Sequence, residues 1–474
     1  MLFNSLEFIL FYVVVTLLYF ILPHKFRWFH LLLASCVFYM AFVPVYILIL
    51  AGTIVIDYFA GIWIENARGK RRRLILLLSL ISNIGVLAVF KYYNFFTGNI
   101  NAAVGKELLP YLKILLPIGL SFHTFQAMSY TLEVYRGNQA AERHFGIYAL
   151  YVMFYPQLVA GPIERPQNLL HQFREQHHFD ADNFYIGFKH MLWGMFKKVV
   201  IADRLAILVN QVYNHPHEHN ATMLVIASLF FAIQIYCDFS GYSSIAIGAA
   251  RTMGFTLMQN FDNPYSARSI NEFWKRWHIS LSTWFKDYLY ISLGGNRVSV
   301  PRWYLNLFIV FMVSGFWHGA NWTFIVWGAL HGIYLISALL FKKPLAAATT
   351  FFQRMGLTWL NNFLQVIVTF GLVCFAWIFF RANSLADAGY IIKTIFSAKW
   401  GGLQNEELFS KFSYALALGL IALLFFAENK ITSKLLNARL NENIRLDIAY
   451  STIVLTMIFL LGVFQQLSFI YFQF

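Results

Sequence analysis

An all-α protein that crosses a membrane many times is the fold class this sequence predicts. Three observations predict it: the composition, the length of the apolar runs, and the placement of the basic residues. Apolar residues make up 59% of the chain and charged residues 12%, against roughly 45–50% and about 25% in an average soluble domain. So little charge cannot solvate 474 residues, and most of the surface must face something other than water. Fifty Phe, 26 Tyr and 13 Trp agree, because Trp and Tyr suit the membrane–water boundary. A soluble globular enzyme is excluded. The formal charge of +14 then belongs to loops facing anionic lipid, and a nucleic-acid partner is not expected.

About 20 apolar residues span a bilayer as helix. Phe3 to Leu22 meets that length with no basic flank before it and no small-residue cleavage site after it, so it reads as a span and not a signal peptide. Trp28–Phe42 and Val45–Ile64 follow, then Leu74–Phe96 and Tyr111–Leu132. Further on come the more polar Phe184–Tyr213, Met223–Ala250, a hairpin or re-entrant pair over Tyr304–Leu340, Phe363–Phe380, Tyr414–Ala427 and Ile448–Leu467. Roughly eleven or twelve crossings result, with re-entrant or interfacial helices between them. Arg68, Lys70, Arg71, Arg72 and Arg73 form the densest basic run, and Lys342, Lys343 and the stretch from Lys430 to Arg445 add more. Placing these in the cytoplasm puts the N-terminus outside. No linker, low-complexity tract or repeat divides the chain, so residues 1–474 read as one membrane domain. Cys36, Cys237 and Cys374 lie far apart in apolar runs and read as structural, without disulfides.

Polar groups at membrane depth are tolerated where protein or a water-filled cavity surrounds them, so the exceptions carry the information. The first is Tyr155-Pro156-Gln157-Leu158-Val159-Ala160-Gly161-Pro162-Ile163-Glu164-Arg165-Pro166, which reads either as a broken, re-entrant segment or as a loop edge. The second runs from Asn260 to Arg297 and mixes Lys275, Arg276, His278, Lys286 and Asp287 with Trp274, Trp277, Trp284 and Phe285. It reads as amphipathic helices that lie at the interface or dip into the protein, either as anchors or as a grip on a phosphate-bearing donor. The third is Ser314-Gly315-Phe316-Trp317-His318-Gly319-Ala320-Asn321-Trp322, between two apolar runs. A histidine there is either a hydrogen-bonded structural residue or a proton-transfer group, since its unperturbed pKa suits that task near neutral pH.

Other patterns say less. His215, His217 and His219 read as a polar loop, and no metal centre is expected there. Asp57 and Asp238 read as members of buried networks. No GxxxxGK[ST] loop or GxGxxG fingerprint occurs, and the run FSGYSS at Ser240 lacks the GxSxG spacing of a hydrolase elbow.

FWKRWHISLSTWFKDYLYISLGGNR followed by SGFWHGANWTFIVWGALHG resembles the membrane-bound O-acyltransferase family. LVAGPIERPQNLL, IYCDFSGYSSIAIGAA, the opening MLFNSLEF and the closing FIYFQF resemble its alginate and peptidoglycan O-acetylation branch, so the likeness runs almost end to end. Lys275, Lys286 and Ser292 depart from the branch, which has arginine, arginine and proline there. Lysine keeps the charge without the bidentate fork. The resemblance implies helices around a funnel or tunnel, with His318 as the active histidine and His278 as a second important one. It also implies acetyl transfer from a cytoplasmic donor, acetyl-CoA, without a cofactor. A separate extracytoplasmic polysaccharide acetyltransferase of the SGNH type is the implied partner, in the cytoplasmic membrane of a bacterium.

Acyl transfer to a hydroxyl needs a base, a stabilised oxyanion and exclusion of water. His318 is the expected general base, and His278 the group that positions the donor carbonyl or stabilises the oxyanion. Trp317 and Asn321 are expected around them, and Lys275 and Arg276 on the donor's phosphates. D-Alanyl transfer to teichoic acid by a related branch is the rival among enzymes. A flippase or transporter of a lipid-linked sugar is the rival outside them, although no inverted repeat supports it.

Overall fold

The computed structural model describes residues 1–113, 116–397, 399–404, 409–428, 436, 444–464 and 469–470. Among the described residues all regular structure is helical. Five helices are long and apolar enough to cross a membrane: Pro44–Asn66, Gly69–Val104, Ala221–Thr252, Trp322–Leu340 and Thr358–Arg381. Leu6–Ile21, Lys411–Phe426 and Asp447–Leu461 are shorter apolar helices. The chain is a multi-pass membrane protein.

Most expected spans are present as helices with shifted ends, although those at Trp28–Phe42, Phe184–Tyr213 and the first half of Tyr304–Leu340 are not among the apolar helices above, and one needs correction. Where Tyr111–Leu132 reads as a single span, helix begins only at Leu120 and runs to Arg136. Gly119, two residues after Pro117, adopts a left-handed φ of 76°, so the helix does not extend back beyond Leu120. Lys342 and Lys343 open an amphipathic helix, Lys342–Arg354, that exposes Leu345 and Phe351 and buries none of its residues. That pattern suits a helix lying in the membrane interface. The basic stretch 430–445 and the end of the last expected span lie largely outside the described residues.

Helix Ala221–Thr252 forms the centre, with 78% of its most apolar window buried by protein. Its partner is helix Ala181–Met195, and the two meet at glycines. A methyl added at Gly187 or Gly194 would overlap the carbonyl of Gly248 or Gly241, so the backbones touch directly. Buried ion pairs tie neighbouring segments to this pair: Lys189 with Asp447 (3.2 Å), Lys197 with Glu428 (3.7 Å), and Lys198 with both Asp203 (2.8 Å) and Asp238 (2.7 Å). Asp57 accepts hydrogen bonds from Ser79 (2.6 Å) and Asn83 (2.8 Å). Both aspartates singled out in the sequence are thus members of buried networks.

Hydrogen bonds sort the loops into two ends. At one, Arg72 donates to the Val134 and Tyr135 carbonyls, Arg143 pairs with Glu65, Arg174 with Glu142, Arg165 with Asp287, and Gln172 bonds Thr256. At the other, Asn220 bonds Gly402, Asn321 bonds the Asn383 carbonyl, and Arg381 bonds Asn210. The basic run Arg68–Arg73 belongs to the first end. Segment 155–166 is broken into the short helix Tyr155–Leu158 and an irregular stretch that reaches the first end at Arg165, and nearly all of it is buried. The three cysteines are free.

Candidate active site

His318 is the last residue of helix Val300–His318, which turns through Gly319 into helix Trp322–Leu340. Two Gly-x-x-x-Gly patterns, Gly315 to Gly319 and Gly328 to Gly332, line the contact between these helices. A methyl at Gly315 would overlap the Phe324 carbonyl, and one at Gly328 the Phe311 carbonyl. Such close approach is how membrane helices gain packing without a hydrophobic drive. In each pattern the third residue after the first glycine is a histidine, His318 or His331, and both are buried.

The last carbonyls of the first helix have no partners within it and need donors from elsewhere. Lys91 Nζ donates to the carbonyls of Trp317 (2.8 Å) and His318 (2.9 Å), and the Tyr92 hydroxyl donates to that of Phe316 (2.9 Å). A cation at a helix C-terminus also faces the negative end of the helix dipole. Lys91 and Tyr92 lie in a π-helical turn, Ala88–Tyr92, of the long helix Gly69–Val104. Such bulges are frequent at functional sites, because the extra residue re-aims side chains.

The His318 ring meets Trp317 and Trp327 edge-on (both 4.9 Å between centroids) and Phe380 at 5.3 Å. Trp327 continues to His331 (4.9 Å) and stacks on Trp377 (5.8 Å). Trp274 Nε1 donates to His331 Nδ1 (3.2 Å). An indole nitrogen can only donate, so neutral His331 carries its proton on Nε2.

His278 approaches from the segment between helices Ile270–Arg276 and Ile279–Trp284. It holds a left-handed backbone, φ 44° and ψ 56°, which costs a residue with a side chain of order 1 kcal/mol or more. Asn260 holds it there. The Asn260 side-chain oxygen faces three donors: His278 Nδ1 (3.1 Å), the Ser280 hydroxyl (2.9 Å) and the Ser280 amide (3.3 Å). Nδ1 therefore donates, and in the neutral ring the basic nitrogen is Nε2. His278 and His318 both contact the Trp317 ring, at 6.4 and 4.9 Å. Trp317 in turn stacks on Phe125 (5.2 Å), and Phe125 on Trp284 (3.9 Å). This aromatic column runs from the histidines to Tyr288, over which lie Arg165 (4.5 Å) and Arg136 (4.9 Å).

The sequence-predicted residues thus divide. His318, His278 and Trp317 converge. Asn321 is close but occupied: it caps helix Trp322–Leu340 by accepting from the Thr323 amide and donates to the Asn383 carbonyl. Arg276 is held by Glu272 (2.7 Å) and Ser266 (2.8 Å), and Lys275 is exposed on the same short helix, so neither is placed against the histidines. The segment 260–297 dips into the protein, with Trp277, Trp284 and Phe285 buried. The three-histidine loop is not convergent: His217 faces Asp387 (3.5 Å) while His219 is buried elsewhere. Lys91, Asn260 and His331 were missed. For Lys91 and His331 the signal was present, since each is a titratable residue inside an apolar run.

Two cavities share Lys91 and Leu116 on their walls. One is lined by Lys91, Pro117, Gly119, Phe122, Trp317 and His318. The other, of about 650 Å³, is lined by Lys91, Asn210, Asn214, Gly319, Asn321 and Arg381, among others. His318 lines the first of these cavities, and its neighbour Gly319 lines the second.

The sequence model of the membrane-bound O-acyltransferase family matches residues 71–382. A protein from Pseudomonas aeruginosa named probable alginate O-acetylase AlgI is 40% identical over 86% of this chain and 77% of its own length. A Helicobacter pylori protein named peptidoglycan O-acetyltransferase is 37% identical over 77% of this chain and 72% of its own length. A more distant relative from Bacillus subtilis, named teichoic acid D-alanyltransferase, is 26% identical over 56% of this chain and 69% of its own length.

Proposed function

The chain belongs to the membrane-bound O-acyltransferase family and is an O-acyltransferase, and on that premise we propose that it carries acetyl groups across a bacterial cytoplasmic membrane for O-acetylation of an extracytoplasmic polysaccharide. The observation that carries this reading is the position of His318, buried at a helix end against one cavity, with its neighbour Gly319 on the wall of a second. The donor is acetyl-CoA, entering from the basic end of the molecule. A partner acetyltransferase outside the membrane places the acetyl group on the polymer. The relatives named for acetylation are more similar than the one named for D-alanylation, which favours acetyl as the group moved.

His318 takes the proton of the acceptor hydroxyl as its oxygen attacks the thioester carbonyl. The C–O bond forms, the C–S bond breaks, and the proton passes from the imidazole to the departing thiolate. No net proton is released. The basic nitrogen of His278, when protonated or approached through a donor, fits the oxyanion side, and Asn260 fixes its aim. Arg165 and Arg136, which lie over the Tyr288 ring at the far end of the aromatic column, are further cations for the donor's phosphates, each paired with a carboxylate, Asp287 or Glu133, as Arg276 is with Glu272. The surrounding Trp and Phe side chains keep water from the thioester.

The test is His318→Ala at matched protein level, with acetate released by mild base measured in the extracellular and wall polysaccharides. Loss of O-acetyl groups with polymer yield preserved is the expected result. Persistent acetylation with collapsed polymer export would instead support a transporter.

A further inference from the structure

The cavity that His318 itself lines is small, about 40 Å³. At roughly 10–15 Å³ for each water-sized occupant, it admits about three or four non-hydrogen atoms. An acetyl group has three. Butyryl and D-alanyl groups have five each, and one of the D-alanyl atoms is a charged nitrogen. The wall disfavours that charge as well. None of the described lining residues is acidic, and Lys91 stands among them, so an ammonium here would meet a cation and no counter-ion.

Close packing fixes the size of this space. Gly119 and Val159 are both on the wall, and their backbones touch. A methyl added at Gly119 would come within 2.9 Å of the Leu158 carbonyl and 3.2 Å of the Val159 Cα. Val159 belongs to the broken segment 155–166 and is buried. Phe122, also on the wall, is wedged among three rings: Trp317 edge-on at 5.7 Å, His278 stacked at 6.2 Å and Phe239 edge-on at 6.4 Å. A wall built of touching backbones and interlocked rings does not widen at small cost, because such interiors are nearly incompressible. A longer acyl chain therefore has no room beside His318.

We propose that this cavity is the acyl pocket of the transferase, in which Phe122 and Val159 limit the group carried to the two carbons of acetyl. The inference rests on the acetyl-transfer reading above and deepens it by naming what sets the acyl length. Inverted membrane vesicles carrying the protein are given acetyl-CoA or butyryl-CoA, and the coenzyme A thiol set free is followed, with His318→Ala vesicles as background. Thiol release belongs to this chain's own step, so the selectivity of a partner does not enter. One methylene too many in an apolar pocket is worth about 10–200-fold, so the unaltered chain should favour acetyl-CoA at least about hundredfold in kcat/KM. Val159→Ala removes two carbons from the wall, as many as butyryl has beyond acetyl, and should cut that preference at least about tenfold. Phe122→Leu opens the same wall and should do the same, so the test survives a failure of the first variant to fold. Val212→Ala, at a buried valine outside the described lining, should leave the preference unchanged. Each is a ratio within one preparation, independent of how much protein is folded. Similar rates with the two donors in the unaltered chain, a preference that survives both wall variants, or an equal fall in Val212→Ala overturns the proposal and leaves acetyl transfer standing. Thiol release no faster than in His318→Ala vesicles overturns the transfer reading and the proposal with it.

Discussion

Lys198 and Lys91 are both lysines inside the membrane protein, yet their surroundings differ in kind. Lys198 sits between Asp203 and Asp238 in a block where Lys189 and Lys197 are matched by Asp447 and Glu428. Lys91 touches no described carboxylate; it holds the backbone carbonyls of Trp317 and His318 and faces two cavities. The first block is charge answered by charge, which fastens the segments around helix Ala221–Thr252. The second is charge answered by dipoles beside open space. Burial of an ionisable group in a membrane therefore does not by itself mark function; the chemistry of what answers it separates a fastener from a site.

The comparison predicts opposite phenotypes. The largest effect on turnover belongs to His318, where removing general-base assistance costs about 10²–10⁴-fold in rate. His318→Ala should show that loss while the detergent-solubilised protein keeps its elution profile and thermal stability. Lys198→Met should do the reverse: two uncompensated carboxylates cost about 3–5 kcal/mol, so folded protein is lost and activity falls only in proportion. Adding Asp203→Asn and Asp238→Asn to Lys198→Met should return most of the folded yield. Failure of that rescue would break the fastener half of the comparison.

Lys91→Met sharpens the other half. Removing two charge-assisted bonds from the helix end frees the His318 backbone, and at about 1.5–3 kcal/mol per bond to a charged group the expected loss in transfer rate is at least about tenfold, with yield little changed. Unfolding as severe as that of Lys198→Met would place Lys91 among the fasteners. The smallest effect is expected at His331. His331→Gln keeps an acceptor for Trp274, and one neutral hydrogen bond at about 0.5–1.5 kcal/mol limits the change in rate to about tenfold. A loss comparable to His318→Ala would move His331 into the reaction.

Much of this was legible in the residues. Composition and run length sufficed for an all-helical membrane protein, because the bilayer imposes a length and forbids charge along it. His318 stood out for the same reason, as a titratable residue between two apolar runs; His278, in a segment without an apolar run, stood out through the resemblance of its motif, and Trp317 as the neighbour of His318. The break before Leu120 was less legible, since Pro117 and Gly119 sit in a stretch apolar enough to pass for helix. Arg276 looked available because a sequence does not reveal that Glu272 and Ser266 occupy its guanidinium, and Lys275 because a sequence does not reveal that it lies exposed on the same short helix. Lys91 was passed over as one polar residue in a long span, and what makes it notable, its reach to the end of a helix 226 residues away in sequence, exists only after folding.

On the proposed function, acetyl groups cross the membrane by way of His318. Inverted membrane vesicles from cells carrying the protein, supplied outside with acetyl-labelled acetyl-CoA, test it most directly. Label on polysaccharide in the vesicle lumen is expected for the unaltered chain and none above background for His318→Ala at equal protein level. Equal lumenal label from both would contradict it.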